Sequence, residues 1–273
     1  MTKLNLLYSI DDAYVDQFKV TVYSVYQMSS QKQLHVYVLQ KTLLSKHEEI
    51  LRFCQTLGIH YHPVVIGEEA FSDAPTTDRY PETIYYRLLA HEYLPQDLDK
   101  ILYMDADILC LNDILPLYET DLGDKLYAAA SHISDSNIPD LVNKLRLGNY
   151  EAGSYFNSGV LMLNLTAVRK EVKRQDILNY IANKGHLLVL PDQDVLNALY
   201  GHKTMLIPDQ IYNFDARYSI LYQARSGGIW DLDWVIGHTV FLHFCGRDKP
   251  WKKEYRSRYA ALYKHYQHLA QLI

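Results

Sequence analysis

Cysteine is scarce, and the little there is does not pair. The 273-residue chain has three, Cys54, Cys110 and Cys245, too few and too scattered for a disulfide framework and without a C-x-x-C zinc pair. Each stands among apolar residues and reads as a reduced core thiol of a cytoplasmic protein. Long hydrophobic runs are also missing: no window reaches the roughly 18 uncharged apolar residues that span a bilayer. The amino-terminal MTKLNLLYSIDD is too short an apolar run for a secretory leader and reads as a first core strand. Positive charge is not in excess either. With 27 Lys and Arg against 32 Asp and Glu, the net charge is -5. A nucleic-acid binder is expected to carry a basic stripe, so no nucleic-acid partner is expected. Internal repeats, low-complexity tracts and linkers are absent, which leaves one main domain, long enough to bury a substantial core.

What is present alternates. LNLLYSI is a candidate buried strand, and Val15, Phe18, Val22 and Val25 follow at helical spacing. LHVYVL is a second strand. Ser45 and Glu48 form a capping-box pattern ahead of EEILRFCQTL, with Gly58 as its stop. IHYHPVVI is a third strand, where Pro63 points to an edge or a bend. This order predicts an open α/β sheet of parallel units. ETIYYRLLAHEYL reads as another helix, and KILYMD, LYAAA, GVLMLNL, TMLIP and VFLHF as further strands. The stretches from Gly67 to Pro81 and from Ser131 to Tyr155 are long for plain connections, which favours lids or binding loops.

In open α/β sheets, ligands bind beyond the carboxyl ends of the strands. Several strands here end in polar groups at that edge. The first runs into Asp11 and Asp12, the fourth into Asp105 and Asp107, and VFLHF ends at His243 before CGRDKPW. Two carboxylates spaced i, i+2 repel each other, which a divalent cation would relieve. Alternatively, they cap backbone N–H groups at a strand end. An aspartyl-phosphate nucleophile of the haloacid-dehalogenase type is disfavoured: Leu109 stands where those proteins carry Thr or Val, and no later glycine-aspartate acidic pair follows. Gly246 would let backbone approach a phosphate, and Lys249 would supply a point charge. Two aspartates and a histidine form a mixed oxygen and nitrogen donor set, which suits Mn²⁺ better than Mg²⁺.

DADILCLND, YFNSGVLMLNL, PDQDVLNALY and HFCGRDKPW occur in the order seen in glycosyltransferase family 8. From about Asn5 to Trp251 the chain resembles that family, which includes retaining lipooligosaccharide galactosyltransferases and glycogenin. The resemblance implies a GT-A fold: a Rossmann-like mixed sheet flanked by helices, with a small second sheet near the active site. It implies Mn²⁺-dependent transfer of galactose or glucose from a UDP-hexose to a glycan, glycolipid or glycoprotein acceptor. The alternatives are a self-glucosylating glycogenin-like enzyme and a catalytically idle sugar-nucleotide-binding subunit.

By the same resemblance, Asp105, Asp107 and His243 hold the metal, with Ala106 between the carboxylates. Gly246 and Lys249 contact the diphosphate. Ser9, Ile10 and Asp11 line the uridine pocket, although Ala13 replaces a common asparagine there. Arg87 lies near the donor sugar and diphosphate, where the residues alone would also allow a solvated helix charge. Asn157 contacts the donor sugar, Asp192 its hydroxyls, and Gln193 lies under the anomeric carbon. Asp192 and Gln193 are thus the candidate catalytic residues. Without the family, Asn157 reads as a turn residue and Asp192 as a helix cap. Double displacement needs a carboxylate nucleophile, and an amide is a poor one, so front-face substitution is favoured, with Gln193 steadying oxocarbenium-like charge.

Tyrosine is abundant, with 24 in the chain. Tyr80, Tyr85, Tyr86, Tyr150 and Tyr155 suggest an aromatic acceptor platform beside the Ser131–Tyr155 lid, although most tyrosines should simply cover half-buried surface. From residue 252 onward, Tyr255, Tyr259, Leu262, Tyr266, Leu269 and Ile273 form one face of an amphipathic helix among basic residues. That helix is expected to pack on the 1–251 domain or on a partner, with peripheral contact at the inner face of a membrane as the alternative.

Overall fold

The computed structural model describes residues 2–67, 71, 74, 76, 81–131 and 154–273. Its centre is a seven-stranded sheet in the order β3-β2-β1-β4-β7-β6-β8. The strands are β1 (Leu4–Ser9), β2 (Leu34–Gln40), β3 (His60–Val65), β4 (Lys100–Met104), β6 (Tyr127–Ala130), β7 (Val160–Asn164) and β8 (Thr204–Ile207). The first three and β4 run parallel, while β7 is antiparallel to both β4 and β6. The sheet is therefore mixed, as the resemblance implies.

Strand burial follows position in the sheet. β1 is central and apolar almost throughout, as a strand covered on both faces must be. Successive side chains alternate between two cores: Leu4, Leu6 and Tyr8 enter one, and Leu7 enters the other with Tyr37, Ile101 and Tyr103. β3 lies at the edge, where Pro63 costs no ladder bond on the open side.

Helices α1 (Val15–Met28) and α2 (His47–Thr56) connect the first three strands. Ser45 and Glu48 do not form the expected capping box: the N-cap is Lys46 and makes no side-chain cap bond. Ser45 instead directs its backbone N–H and its hydroxyl to Asp12 Oδ1, both at 2.9 Å. Gly58 does stop α2, with φ of 68°. ETIYYRLLAHEYL folds as a 3₁₀ segment, Glu82–Leu89, and one α turn, Ala90–Tyr93, rather than one helix. Five successive residues, Tyr85 to Leu89, are buried. Burial on all sides rather than along one stripe means tertiary anchoring sets this conformation.

Two short strands carried no expectation. β5 (Ile108–Cys110) and β9 (Phe214–Asp215) flank β10 (Phe241–His243) in a second sheet ordered β5-β10-β9. The Asp105–Asp107 turn is the point where the chain leaves the large sheet and enters the small one. Helix α1 grips it from below. The Thr21 hydroxyl lies 2.8 Å from the carbonyls of Ala106 and Ile108, and Ser24 Oγ accepts from the Cys110 N–H at 2.9 Å.

Beyond α2 the chain adds α3 (Leu165–Glu171), α4 (Arg174–Lys184), α5 (Pro191–Tyr200), α6 (Ser219–Arg225), α7 (Leu232–His238) and α8 (Ala260–Ala270). In α8, Tyr263 is fully buried and meets Phe244 edge-on at 5.4 Å. Tyr259 likewise meets Phe214 at 5.9 Å, and the Tyr266 hydroxyl reaches Met28 Sδ at 3.3 Å. Its tyrosine face packs on the main core, while Leu272 and Ile273 remain exposed. No helix among the described residues is long and apolar enough to cross a membrane.

Candidate active site

The strand order creates the site. β1 is flanked by β2 on one side and β4 on the other, so the connections after β1 and β4 diverge and leave a crevice at their carboxyl ends. β7 starts at that same end, since Val160 pairs with Met104. This brings Asn157, Ser158 and Gly159 to the crevice. A cavity of about 250 Å³ occupies it.

Ser9, Ile10 and Asp11 form one end of the cavity wall. Ser9 Oγ donates to the Thr83 carbonyl at 2.6 Å, pinning the 3₁₀ segment to β1. Asp11 accepts from the Ala13 N–H at 3.0 Å, whereas Asp12 turns away to hold Ser45. Tyr14, which sequence reasoning did not single out, also lines this cavity and stands edge-on to Trp251 at 6.1 Å.

Pairing of the small sheet sets the carboxylate and histidine geometry. His243 is opposite Ile108 in β5 and Asp215 in β9, one residue from Asp107. Its Nε2 lies 3.1 Å from Asp107 Oδ1 and 3.9 Å from Asp105 Oδ2. One ligand atom from each of these three residues lies within 4.8 Å of the others. His243 Nδ1 donates to Asn213 Oδ1 at 2.8 Å, which turns Nε2 towards the carboxylates. Two hard carboxylate oxygens and an imidazole nitrogen fit a divalent first-row cation. Gly159 makes the approach possible: an added Cβ would lie 2.9 Å from Asp105 Oδ2 and would strike the His243 ring.

Lys249 pairs with Asp107 and donates to the Phe244 carbonyl at 2.9 Å. Burial opposes the Asp107 charge, but Lys249 and His243 outweigh it and hold the carboxyl well below the usual range. Burial also disfavours an imidazolium at His243, yet Cys245 and Asp107 push its pKa well above the ordinary value. A cation at this position would compete with that proton.

Arg87 is not a solvated helix charge. It is 8% exposed, so its charge needs partners, and Nη1 has three: Asp105 Oδ1 at 3.0 Å, the Ser158 carbonyl at 3.1 Å and Asp192 Oδ2 at 3.3 Å. The guanidinium lies 4.3 Å over the Tyr103 ring, and the Tyr103 hydroxyl donates to Asp105 Oδ1 at 2.7 Å. Asp192 also accepts from Ser158 Oγ at 2.9 Å. Burial raises its pKa, opposed by Arg87 and reinforced by Asp105.

Asp192 is not the cap of α5 either. The N-cap, Leu190, makes no side-chain cap bond; its own N–H and that of Val189 donate to Asp194 at 3.1 and 2.7 Å. Asn157 does serve as a turn residue, accepting from the Gly159 N–H at 2.9 Å, and also reaches further. Its Nδ2 donates to Gln193 Oε1 at 3.0 Å, and its Oδ1 accepts from Asn213 Nδ2 at 2.9 Å. The Ser158 N–H donates to the same Gln193 oxygen at 3.2 Å. A backbone N–H can only donate, so that atom is the amide oxygen, and Gln193 Nε2 has no partner among the described residues.

Gly246 and Lys249 close the wall, Gly246 with φ of 89°. Every candidate residue, Ala106 included, borders this one cavity. Sequence reasoning missed Tyr103, Ser158 and Asn213, whose only signal was polarity inside otherwise apolar or strand-like stretches.

The tyrosine platform needs correction. Tyr85 and Tyr86 are completely buried and cannot stack on a sugar; Phe71 packs on both, at 5.5 and 6.3 Å. The Tyr155 hydroxyl donates to Asp194 at 2.6 Å. Tyr80, Tyr150 and nearly all of the expected Ser131–Tyr155 lid lie outside the described residues. The ends of that segment meet where Ser131 Oγ accepts or donates to Ser154 Oγ at 2.5 Å.

Comparison with known proteins places this geometry. The chain is 27% identical over 259 residues to a lipopolysaccharide 1,2-glucosyltransferase of Escherichia coli, covering 90% of this chain and 73% of that protein. It is 26% identical to a lipopolysaccharide 1,3-galactosyltransferase of Salmonella typhimurium, covering 91% and 73%. The crystal structure of the galactosyltransferase LgtC with donor and acceptor sugar analogs superposes with a TM-score of 0.81 at 22% identity, covering 97% of this chain and 96% of that one. The profile named Glycosyl transferase family 8 matches residues 5–255. Such a match leaves out only residues 1–4 and 256–273, and the protein is a member of glycosyltransferase family 8, with the GT-A fold.

Proposed function

We propose that the protein is a retaining hexosyltransferase that uses a divalent cation, Mn²⁺ before Mg²⁺, to transfer galactose or glucose from a UDP-sugar to a glycan or glycolipid acceptor. One observation carries this reading: the Asp105, Asp107 and His243 cluster shares a cavity with the Arg87, Asp192 and Gln193 group. A diphosphate at the first would present its sugar to the second. The lipopolysaccharide glucosyl- and galactosyltransferase relatives support a hexose donor.

Each residue then has a task its contacts support. Asp105, Asp107 and His243 hold the cation, which when bound offsets the diphosphate charge as a Lewis acid. Lys249 and the Gly246 backbone meet the phosphates. Ser9, Ile10 and Asp11 frame the base and ribose. Arg87 bridges Asp105 and Asp192, which leaves Asp192 placed to accept from sugar hydroxyls.

Gln193 spends its carbonyl oxygen on Asn157 and Ser158. What it offers the sugar is an N–H donor, which orients a hydroxyl but cannot attack carbon. This favours front-face substitution and makes Gln193 a positioning residue rather than a stabiliser of positive charge. The acceptor oxygen bonds to the anomeric carbon as its bond to the diphosphate breaks, and the acceptor proton leaves on a diphosphate oxygen.

Release of UDP from a panel of UDP-hexoses with Mn²⁺ tests the reading without an acceptor. Hydrolysis of UDP-galactose or UDP-glucose above the other donors is expected. Equal inertness of all donors, with no rise in Tm on adding UDP and Mn²⁺, rules it out.

A further inference from the structure

A second cavity, of about 720 Å³, adjoins the first and shares Gly246 and Lys249 with it. We propose that this cavity is an anion subsite that seats a phosphate group carried by the acceptor. The assignment to the acceptor rests on reading the first cavity as the donor site.

The charge of its wall is the first ground. Arg247, Lys252, Arg256 and Arg258 border it, opposed by Asp248 and Glu254. Among the described residues, none of these four cations has a carboxylate within ion-pair distance. They reach only neutral acceptors: Lys252 the Arg247 carbonyl at 3.2 Å, Arg256 the Lys253 carbonyl at 3.3 Å, and Arg258 Gln223 Oε1 at 3.4 Å. The protein as a whole is acidic, with net charge -5, yet seven basic residues face two acidic ones from Arg247 to Ile273. Positive charge gathered at one cavity of an acidic protein concentrates anions there. Arginine forks match phosphate oxygens in particular.

The partition between the cavities is the second ground. Arg217 is clamped by the fully buried Asp215, with Nε at 3.0 Å from Oδ1 and Nη2 at 2.6 Å from Oδ2. Its Nη1 would lie 3.0 Å from a Cβ built on Gly246. Arg217 thus lines the second cavity with its charge already paired, against the Gly246 turn that both cavities share. In the first cavity the diphosphate would have its partners in the cation site and Lys249. The basic residues that line only the second cavity are left to meet a second anion. In a two-substrate transfer the acceptor is the remaining source of one, and its phosphate passes through the reaction unchanged.

Calorimetric titration with glucose 6-phosphate, on protein saturated with UDP and Mn²⁺, tests this. Binding is expected for glucose 6-phosphate but not for glucose, to weaken at higher ionic strength, and to fall at least about tenfold in Arg247→Gln/Arg256→Gln. Both side chains are exposed, and the variant should keep its thermal unfolding and its UDP-dependent Tm rise. Unchanged binding in the variant, or loss of binding once UDP is present, overturns the proposal. So does variant-sensitive binding to phosphatidylglycerol vesicles with none to glucose 6-phosphate, which marks a membrane contact instead. A normal UDP and Mn²⁺ shift without glucose 6-phosphate binding strikes this proposal alone. Absence of that shift strikes the donor reading and, with it, the assignment to the acceptor.

Discussion

Asn213 accepts the Nδ1 hydrogen of His243 at 2.8 Å and so decides which imidazole nitrogen faces the carboxylates. Asn213 also donates to Asn157, which donates to Gln193. A chain of amides thus joins His243 to Gln193 at the other end of the cavity. Replacing Asn213 by Leu is expected to lower Mn²⁺ affinity by about 10- to 100-fold, the usual cost of losing the partner of a ligating histidine. Titration calorimetry reads this directly, and Asn213→Asp, which keeps the acceptor oxygen, should recover most of the loss. Equal affinity in Asn213→Leu and the parent contradicts the coupling.

Arg87 is the only cation within reach of both Asp105 and Asp192 among the described residues. Arg87→Met leaves two buried or half-buried carboxylates without it, a change that costs about 3–5 kcal/mol in comparable buried pairs. A clear drop in Tm is expected, and UDP release should fall about 100-fold or more. Arg87→Lys restores charge but not the planar contact with Tyr103, so it should be intermediate in both. A variant with full activity and unchanged Tm refutes this placement.

Gly159 has no room for a methyl group beside Asp105 and His243. Gly159→Ala should therefore displace a metal-facing side chain while leaving the sheet intact. The expected signature is a near-parental far-UV spectrum with UDP and Mn²⁺ protection reduced about tenfold or more. Full protection would show that the approach relaxes freely.

Removing divalent cations should abolish the UDP-dependent rise in Tm, and adding Mn²⁺ should restore it more fully than Mg²⁺, because imidazole is a better ligand for the first. Undiminished UDP protection in EDTA would separate nucleotide binding from the cluster.

Stability should decline on acidification before ordinary carboxylates titrate. His35 stacks on His60 at 4.3 Å, and its Nδ1 lies 3.0 Å from His62 Nε2 across β2 and β3. Burial, then Lys3 and the neighbouring histidines, lowers the His35 pKa to about 4, and His62 is lowered for similar reasons. Between the ordinary histidine value and about 4 the unfolded chain binds more protons than the folded one, so stability falls with pH across that window. Thermal melts at stepped pH should show a shallower decline for His35→Gln. An identical slope would place the acid sensitivity elsewhere.

The large sheet was readable because its strands are long enough to carry an apolar pattern and each ends at a recognisable polar residue. The residues that mark the site did so through motif order, and they meet because strand ends meet. The resemblance implied the small sheet and VFLHF marked its middle strand, but the outer two were not readable: β9 has two residues and β5 three, too few for any periodicity. Asn213 becomes a partner of His243 only when β9 lies beside β10, a pairing no local signal announces. The misreading of Tyr85 and Tyr86 has the opposite cause. Tyrosines in a polar-flanked segment look available for stacking, but the anchoring of Ser9 to Thr83 and of Arg87 to Asp105 draws the whole segment inward.

The turn from Asp105 to Asp107 is the splice between two sheets, and His243 arrives from the second. On the proposed reading, donor handling is thus a property of a seam, which Lys249 completes. The second cavity takes part of its wall from residues 252–258, which follow that seam. With the acceptor phosphate seated there as proposed, exchange of residues 252–258 would change acceptor preference while the chemistry at the junction stays as it is, which makes this stretch the natural place for one scaffold to take a new acceptor.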